Sequence, residues 1–204
     1  MSENKAVGIV VATHFEASPI FSRLDFKRDA SGLYKAQPNG KTIWLAISGV
    51  GMEPARRASN QLCDAGAKEL VSAGYCGALS RDLKVGDLVT DRIATSPRPV
   101  WKTEARIALA EKAGAQAVDM ETQAVIEAGT RRGVPIRILR VVSDQLGDDV
   151  SPLLGEEPTF SIVRILLRLW KPTRWPYLFK MWRQSRIASQ RLGQAVASYL
   201  QDNA

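Results

Sequence analysis

The chain has 204 residues, 45% of them hydrophobic and 24% charged, which is enough for one domain with a full core and ordinary for a globular protein. Its net charge of +7 is concentrated: from Phe160 onward eight basic residues accompany one acid, Asp202, and the remainder of the chain is neutral. That asymmetry excludes a generally basic nucleic-acid binder and points to an anionic partner at one end. Two cysteines, Cys63 and Cys76, without CxxC spacing argue against a disulfide framework and fit a reducing cytoplasm. The start, MSENKAVGIVVA, lacks the pattern of a signal peptide, and no apolar run is long enough to span a bilayer.

Residues 7–12 (VGIVVA) predict a buried first strand, followed by a turn, THFEASPI, that leads into a short helix and places His14 and Glu16 just past the strand's carboxyl end. Residues 33–48 predict two strands joined at Pro38-Asn39-Gly40, a strong hairpin signal. Gly49-Val50-Gly51 then opens a helix over residues 53–65, with Pro54 in its first turn. The glycines of this turn leave free amides that can face a ligand, although a lone GxG is an incomplete phosphate loop. Residues 70–73 predict a short buried strand running into a glycine turn, Gly74-Tyr75-Cys76-Gly77. Its glycines imply close backbone approach, to a substrate or to a neighbouring helix. Val85-Gly86-Asp87-Leu88-Val89 starts another strand, residues 91–102 predict a loop, and 103–114 a helix.

Residues 117–144 carry the strongest signal. Asp119-Met120-Glu121 precedes a helical pattern with apolar Ala124, Val125 and Ala128, closed by Gly129 and Gly133 and blocked by Pro135. A near-continuous apolar strand, residues 136–142, follows, as suits a sheet covered on both faces. It ends at Ser143-Asp144, where ligands bind in open α/β sheets. Each acid also has a simpler role open to it: Glu121 as a first-turn acid favoured by the helix dipole, Asp144 as an N-cap. Strands alternating with helices place the chain in the α/β class. The loop GDDVSPLLGEEP that follows is a candidate flap or linker.

In the tail, FSIVRILLRLW (160–170) has Arg164 and Arg168 on one helical face and apolar residues over the rest. Past Pro172, Trp175, Tyr177, Phe179, Met181 and Trp182 interleave with basic residues. Such a segment can lie at an anionic membrane surface without spanning it, or pack on the sheet or a second subunit. The predicted organisation is a catalytic core over residues 1–150 and a basic, aromatic-rich helical extension of the same domain over 151–204.

Five ordered blocks, VGIVVATHFEASPI, ISGVGMEPARRASNQL, SAGYCGALSRDLKVGDLV, AVDMETQAV and LRVVSD, resemble the nucleoside phosphorylase and nucleosidase superfamily, closest to the methylthioadenosine nucleosidase branch, over about residues 6–145. The resemblance implies a three-layer α/β fold around a central mixed sheet flanked by helices, and a homo-oligomer, commonly a dimer. It implies cleavage of a ribosyl–purine bond through an oxocarbenium-like transition state. By the same resemblance Asp144 protonates the departing purine and Glu16 activates water. Glu121 binds the ribose hydroxyls and Met120 lies beneath the sugar. Asp119, Ser143, Gly74, Tyr75, Cys76, Gly77 and His14 complete the candidate substrate-binding set, with His14 equally open to a structural role and Cys76 expected as a buried small residue, since no partner base is apparent.

Two departures stand out. Where phosphorylases hold phosphate with an arginine and a serine, this chain has Ser72 and Tyr75, so hydrolysis is expected over phosphorolysis unless Arg56 or Arg98 substitutes. Only about 30 residues separate the VGDLV and VDME blocks, an expected short lid that leaves room for a bulky substituent. Short hopanoid-associated phosphorylases resemble the chain in size and in their basic, apolar extension, which makes adenosylhopane a candidate substrate beside methylthioadenosine, S-adenosylhomocysteine and futalosine. No metal or organic cofactor is expected; phosphate is the candidate co-substrate. A nucleoside-binding, membrane-associated scaffold on the same fold is the non-enzymatic alternative.

Overall fold

The computed structural model describes residues 6–148 and 175–202, with side chains over 6–148 and 179–202. The predicted helix over 160–170, most of the flap and the side chains of Trp175 and Tyr177 lie outside the described residues. Among the described residues, nine strands form one mixed sheet flanked by five helices. In chain order these are β1 (Val7–Val11), α1 (His14–Phe21), β2 (Lys27–Arg28), β3 (Tyr34–Ala36), β4 (Ile43–Ile47) and α2 (Met52–Asp64). Then come β5 (Glu69–Ala78), β6 (Leu88–Val89), β7 (Ile93–Thr95), α3 (Thr103–Ala113), β8 (Ala117–Asp119), α4 (Thr122–Arg132), β9 (Ile136–Asp144) and α5 (Trp175–Asp202).

Two apolar layers hold this sheet. On one face Ile9, Leu45, Val71 and Val141 pack with Ile20 of α1 and with Ala188, Leu192 and Val196 of α5. On the other, Val10, Ala46 and Leu70 pack with Ala55 and Leu62 of α2 and Ala124 and Val125 of α4. Removing this surface from water drives the assembly, at roughly 1.5–3 kcal/mol for each fully buried large apolar side chain. The α4 helix stops where its sequence predicts: Gly133 takes a left-handed φ of 64° and its amide bonds back to Gly129 and Thr130, a conformation open to glycine at little cost.

The site's position follows from β5. Its neighbour on one edge is β9, parallel from Leu70 to Gly77. The other edge is shared: β1 pairs with it in parallel up to Ser72, and β8 pairs antiparallel with Gly77 and Ala78. Residues 73–76 therefore have no strand partner on that edge. Because β1 and β8 run in opposite directions, their carboxyl ends approach each other across this gap, bringing Ala12 and Thr13 toward Asp119 and Met120. The predicted glycine turn is thus an extended stretch of a ten-residue strand. Two short strands, β7 and β8, also arise in segments read as loop or left unassigned; β7 finds its partner only through β8.

Candidate active site

An unpaired strand edge exposes backbone donors that need acceptors. The Tyr75 amide, in the gap of β5, donates to Glu16 Oε1 at 2.9 Å. Glu16 reaches that point because it is the third residue of α1 in a capping box with Thr13, a reciprocal arrangement that ties the helix start to the end of β1. Its Oε2 accepts from the amides of Ala12 and Thr13 at 2.9 and 2.8 Å and from the Thr13 hydroxyl at 3.2 Å. The carboxylate is buried and rigidly aimed, and Oε1 keeps acceptor capacity toward the cleft.

Three acids surround one guanidinium. Arg140 of β9 is fully buried; its Nη2 lies 2.9 Å from Asp119, and its Nη1 lies 3.6 Å from Glu121 and 4.0 Å from Glu16. It also donates to Thr122 Oγ1 at 3.1 Å and to Ser72 Oγ at 3.0 Å. Burial pulls the Arg140 pKa down, but the three carboxylates prevail and the net shift is upward. Gly74 makes room for this cluster, since a β-carbon there would sit 2.4 Å from Glu16 Oε1 and 2.5 Å from Arg140 Nη1.

The individual roles then separate. Asp119 accepts from Thr95 Oγ1 at 2.9 Å and from the amide and hydroxyl of Thr122, so its carboxylate is committed to the start of α4 and to Arg140. Glu121 accepts from the Gly51 amide at 2.8 Å, joining the GVG turn to the site. Burial pushes the Glu121 carboxyl above its ordinary value, against the opposing pull of Arg140 and the Gly51 amide. Asp144, half-buried at the end of β9, accepts from Ser143 Oγ at 2.7 Å on Oδ1 and pairs with Arg106 Nη2 on Oδ2.

These groups line a single cleft of about 240 Å³. Its acidic floor comprises Glu16, Asp119 and Glu121, with Met120 between the latter two, and Asp144 and Ser143 form one side. Tyr75, Cys76, Gly77, Val50 and the stretch from Arg98 to Trp101 complete its lining. Three carboxylates against one guanidinium make the floor electronegative, since Arg106 balances Asp144. Such a floor favours positive charge placed beside it.

A family model described as the phosphorylase superfamily matches residues 6–90 and 91–164. The chain belongs to the phosphorylase superfamily. Its fold is that of the solved superfamily relatives. With Helicobacter pylori 5′-methylthioadenosine/S-adenosylhomocysteine nucleosidase it shares 18% identity at a TM-score of 0.75, over 98% of this chain and 100% of that one. Helicobacter pylori futalosine hydrolase gives 18% and 0.74, over 97% and 98%. A putative nucleosidase of the methylthioadenosine type from Francisella philomiragia gives 18% and 0.73, over 97% and 99%. Comparison with curated proteins finds no sequence match.

Against the superfamily pattern, the structure gathers Glu16, Met120, Glu121, Ser143 and Asp144 in one place. His14 departs from expectation: it is exposed on the first turn of α1 and does not line the cleft. The helical turn that points Glu16 inward turns His14 outward. Gly74 lies beneath the acids. Cys76 is buried and burial pushes its thiol upward, keeping it protonated. Ser72 is fully buried against Arg140, and Arg56 is held by Glu53 and Glu127 at 2.6 and 3.0 Å. Arg98 is exposed at the cleft wall. Two site residues escaped sequence reasoning, Arg140 and Arg106. Arg140 had a signal, a full charge inside a largely apolar strand between Leu139 and Val141, both buried.

Proposed function

We propose that the protein hydrolyses the N-glycosidic bond of a purine nucleoside bearing a bulky 5′ substituent and releases the base, adenine. The observation that carries this reading is the convergence of Glu16, Glu121 and Asp144, from three separate stretches of chain, on one electronegative cleft. Water hydrogen-bonded to Glu16 Oε1 loses a proton to it and attacks C1′. The C1′–N9 bond breaks with its electron pair passing into the purine, and Asp144 gives a proton to N7, so that the base leaves neutral. Glu121 Oε2 accepts from the ribose hydroxyls, its Oε1 being held by Gly51, and Met120 supports the sugar. The acidic floor stabilises the transient cation. Phosphate is disfavoured because Ser72 and Arg56 are engaged elsewhere and the floor carries excess negative charge. Val50 lines the cleft and is half exposed, which supports room for a large substituent; adenosylhopane is the proposed substrate, with methylthioadenosine, S-adenosylhomocysteine and futalosine as the competing ones. Asp144→Asn is expected to cut release of adenine about 100-fold or more, the usual scale of general acid catalysis, with folding intact by circular dichroism. Unchanged turnover would remove the assignment.

A second feature concerns location. Phe179 and Trp182 on α5 are 66% and 54% exposed, stack with ring centroids 5.8 Å apart, and have Arg186 5.0 Å above the Trp182 ring. We propose that this aromatic and basic face rests on an anionic membrane surface, where aromatic rings and cations both bind favourably. Among the described residues no helix is long and apolar enough to cross a membrane. Co-sedimentation with phosphatidylserine vesicles should weaken with salt and be lost on replacing Phe179 and Trp182 with alanine; absence of vesicle binding by the wild type would refute it.

A further inference from the structure

Arg106 is 2% exposed although it is a charged residue on a helix with an open outer face. Its guanidinium is held by three acceptors from two stretches of chain, Val100 on one and the adjacent Asp144 and Gln145 on the other. Nε donates to Val100 O at 2.8 Å, Nη1 donates to Gln145 O at 3.0 Å, and Nη2 pairs with Asp144 Oδ2. Gly77 permits this approach, because a β-carbon there would lie 3.1 Å from Asp144 Oδ2 and 3.2 Å from Arg106 Nη2. With Ser143 on the other oxygen, both atoms of the Asp144 carboxyl are oriented at the cleft wall. A guanidinium keeps its proton at any working pH and cannot itself act as the acid. It can stabilise the carboxylate that remains once the acid has given its proton away.

We infer that Arg106 is the positioning residue through which Asp144 acts on the leaving group. This rests on the nucleoside-cleaving reading of the site. Asp144 takes a proton from solvent as the nucleoside binds and passes it to purine N7 as the C1′–N9 pair enters the ring, and the carboxylate so restored pairs again with Arg106 Nη2. Arg106 thus lowers the barrier only for bases that need a proton to depart.

The test compares two substrates in one preparation: a 5′-substituted adenosine that the wild type cleaves, and its N7-methylated counterpart, whose base already carries the positive charge and accepts no proton at N7. Arg106→Met should shift the ratio of the two kcat values against the unmethylated substrate by at least about tenfold, a part of the roughly 10²–10⁴ that general acid catalysis supplies. Asp144→Asn should shift it the same way, and Arg106→Lys should restore part of the loss. A ratio taken within one sample is independent of the folded fraction, so a poorly folding variant still reports. Equal losses on both substrates, or no loss on either, would overturn the role of Arg106 while leaving the nucleoside reading in place. Failure of the wild type to cleave any purine nucleoside would instead overturn that reading, and the Arg106 role with it.

Discussion

Replacing Arg140 with methionine keeps an unbranched apolar stem and removes the charge at the centre of the acid cluster. Three carboxylates lie within 4.0 Å of its guanidinium and the side chain is fully buried. Removing one partner from a buried ionic network leaves uncompensated charge and costs about 3–5 kcal/mol. The donors lost to Ser72 and Thr122 fall within the same figure, since these effects are not additive. For a chain of this size, about 4 kcal/mol corresponds to a fall in Tm of roughly 8–16 °C. The sign of the pH effect follows from Glu121. Burial already holds its carboxyl above the ordinary value, with Arg140 opposing the shift, so loss of Arg140 raises it further. An acid whose folded-state pKa is raised destabilises the fold above that pKa and is relieved as pH falls through it. Calorimetry of wild type and variant should therefore show a Tm gap at about pH 7 that narrows toward about pH 5. A gap under about 2 °C at neutral pH, or one independent of pH, would refute the view that Arg140 neutralises this cluster.

Two further substitutions probe the frame of the site. Gly77→Ala puts a β-carbon 3.1–3.2 Å from the Asp144 and Arg106 groups; it should lower kcat at least about tenfold while costing only about 1–3 kcal/mol of stability, and an alanine variant with wild-type kcat would contradict the close approach. Asp148 holds α5 through Lys180 at 2.6 Å and Gln184 at 2.8 Å, so Asp148→Ala should speed amide hydrogen exchange in the first turns of α5 without altering exchange in β1. Burial pushes the Asp148 carboxyl up, but Lys180, the Gln145 amide and Gln184 hold it below its ordinary 3.8. Its contribution to stability is accordingly complete above that pH and lost as the pH falls toward the lowered value.

The helices and longer strands were legible because their patterns are local. THFEASPI announces a turn into a short helix, Gly133-Val134-Pro135 a helix stop, and the apolar run into Ser143-Asp144 a covered strand. What escaped depends on register. Gly74 and Gly77 mark close approach of Glu16, Arg140 and Asp144 to one strand, and local sequence renders the same glycines as a turn. Short β7 and β8 exist because they pair with each other and with the end of β5. Arg106 sits on a helix whose residues show no clean polar and apolar faces, so its burial had no periodic signature; its partner, Asp144, lies in another part of the chain. The acids themselves were found from ordered motifs, but the guanidiniums that set their charge were not.

Product analysis in phosphate-free buffer tests the central claim most directly. Purified protein is given a panel of 5′-substituted adenosines, and released base and sugar are separated and quantified. The account predicts free adenine and free 5′-substituted ribose in equal amounts, at a rate unchanged when phosphate is added. Strict dependence on phosphate, with a ribose 1-phosphate as the sugar product, would contradict it.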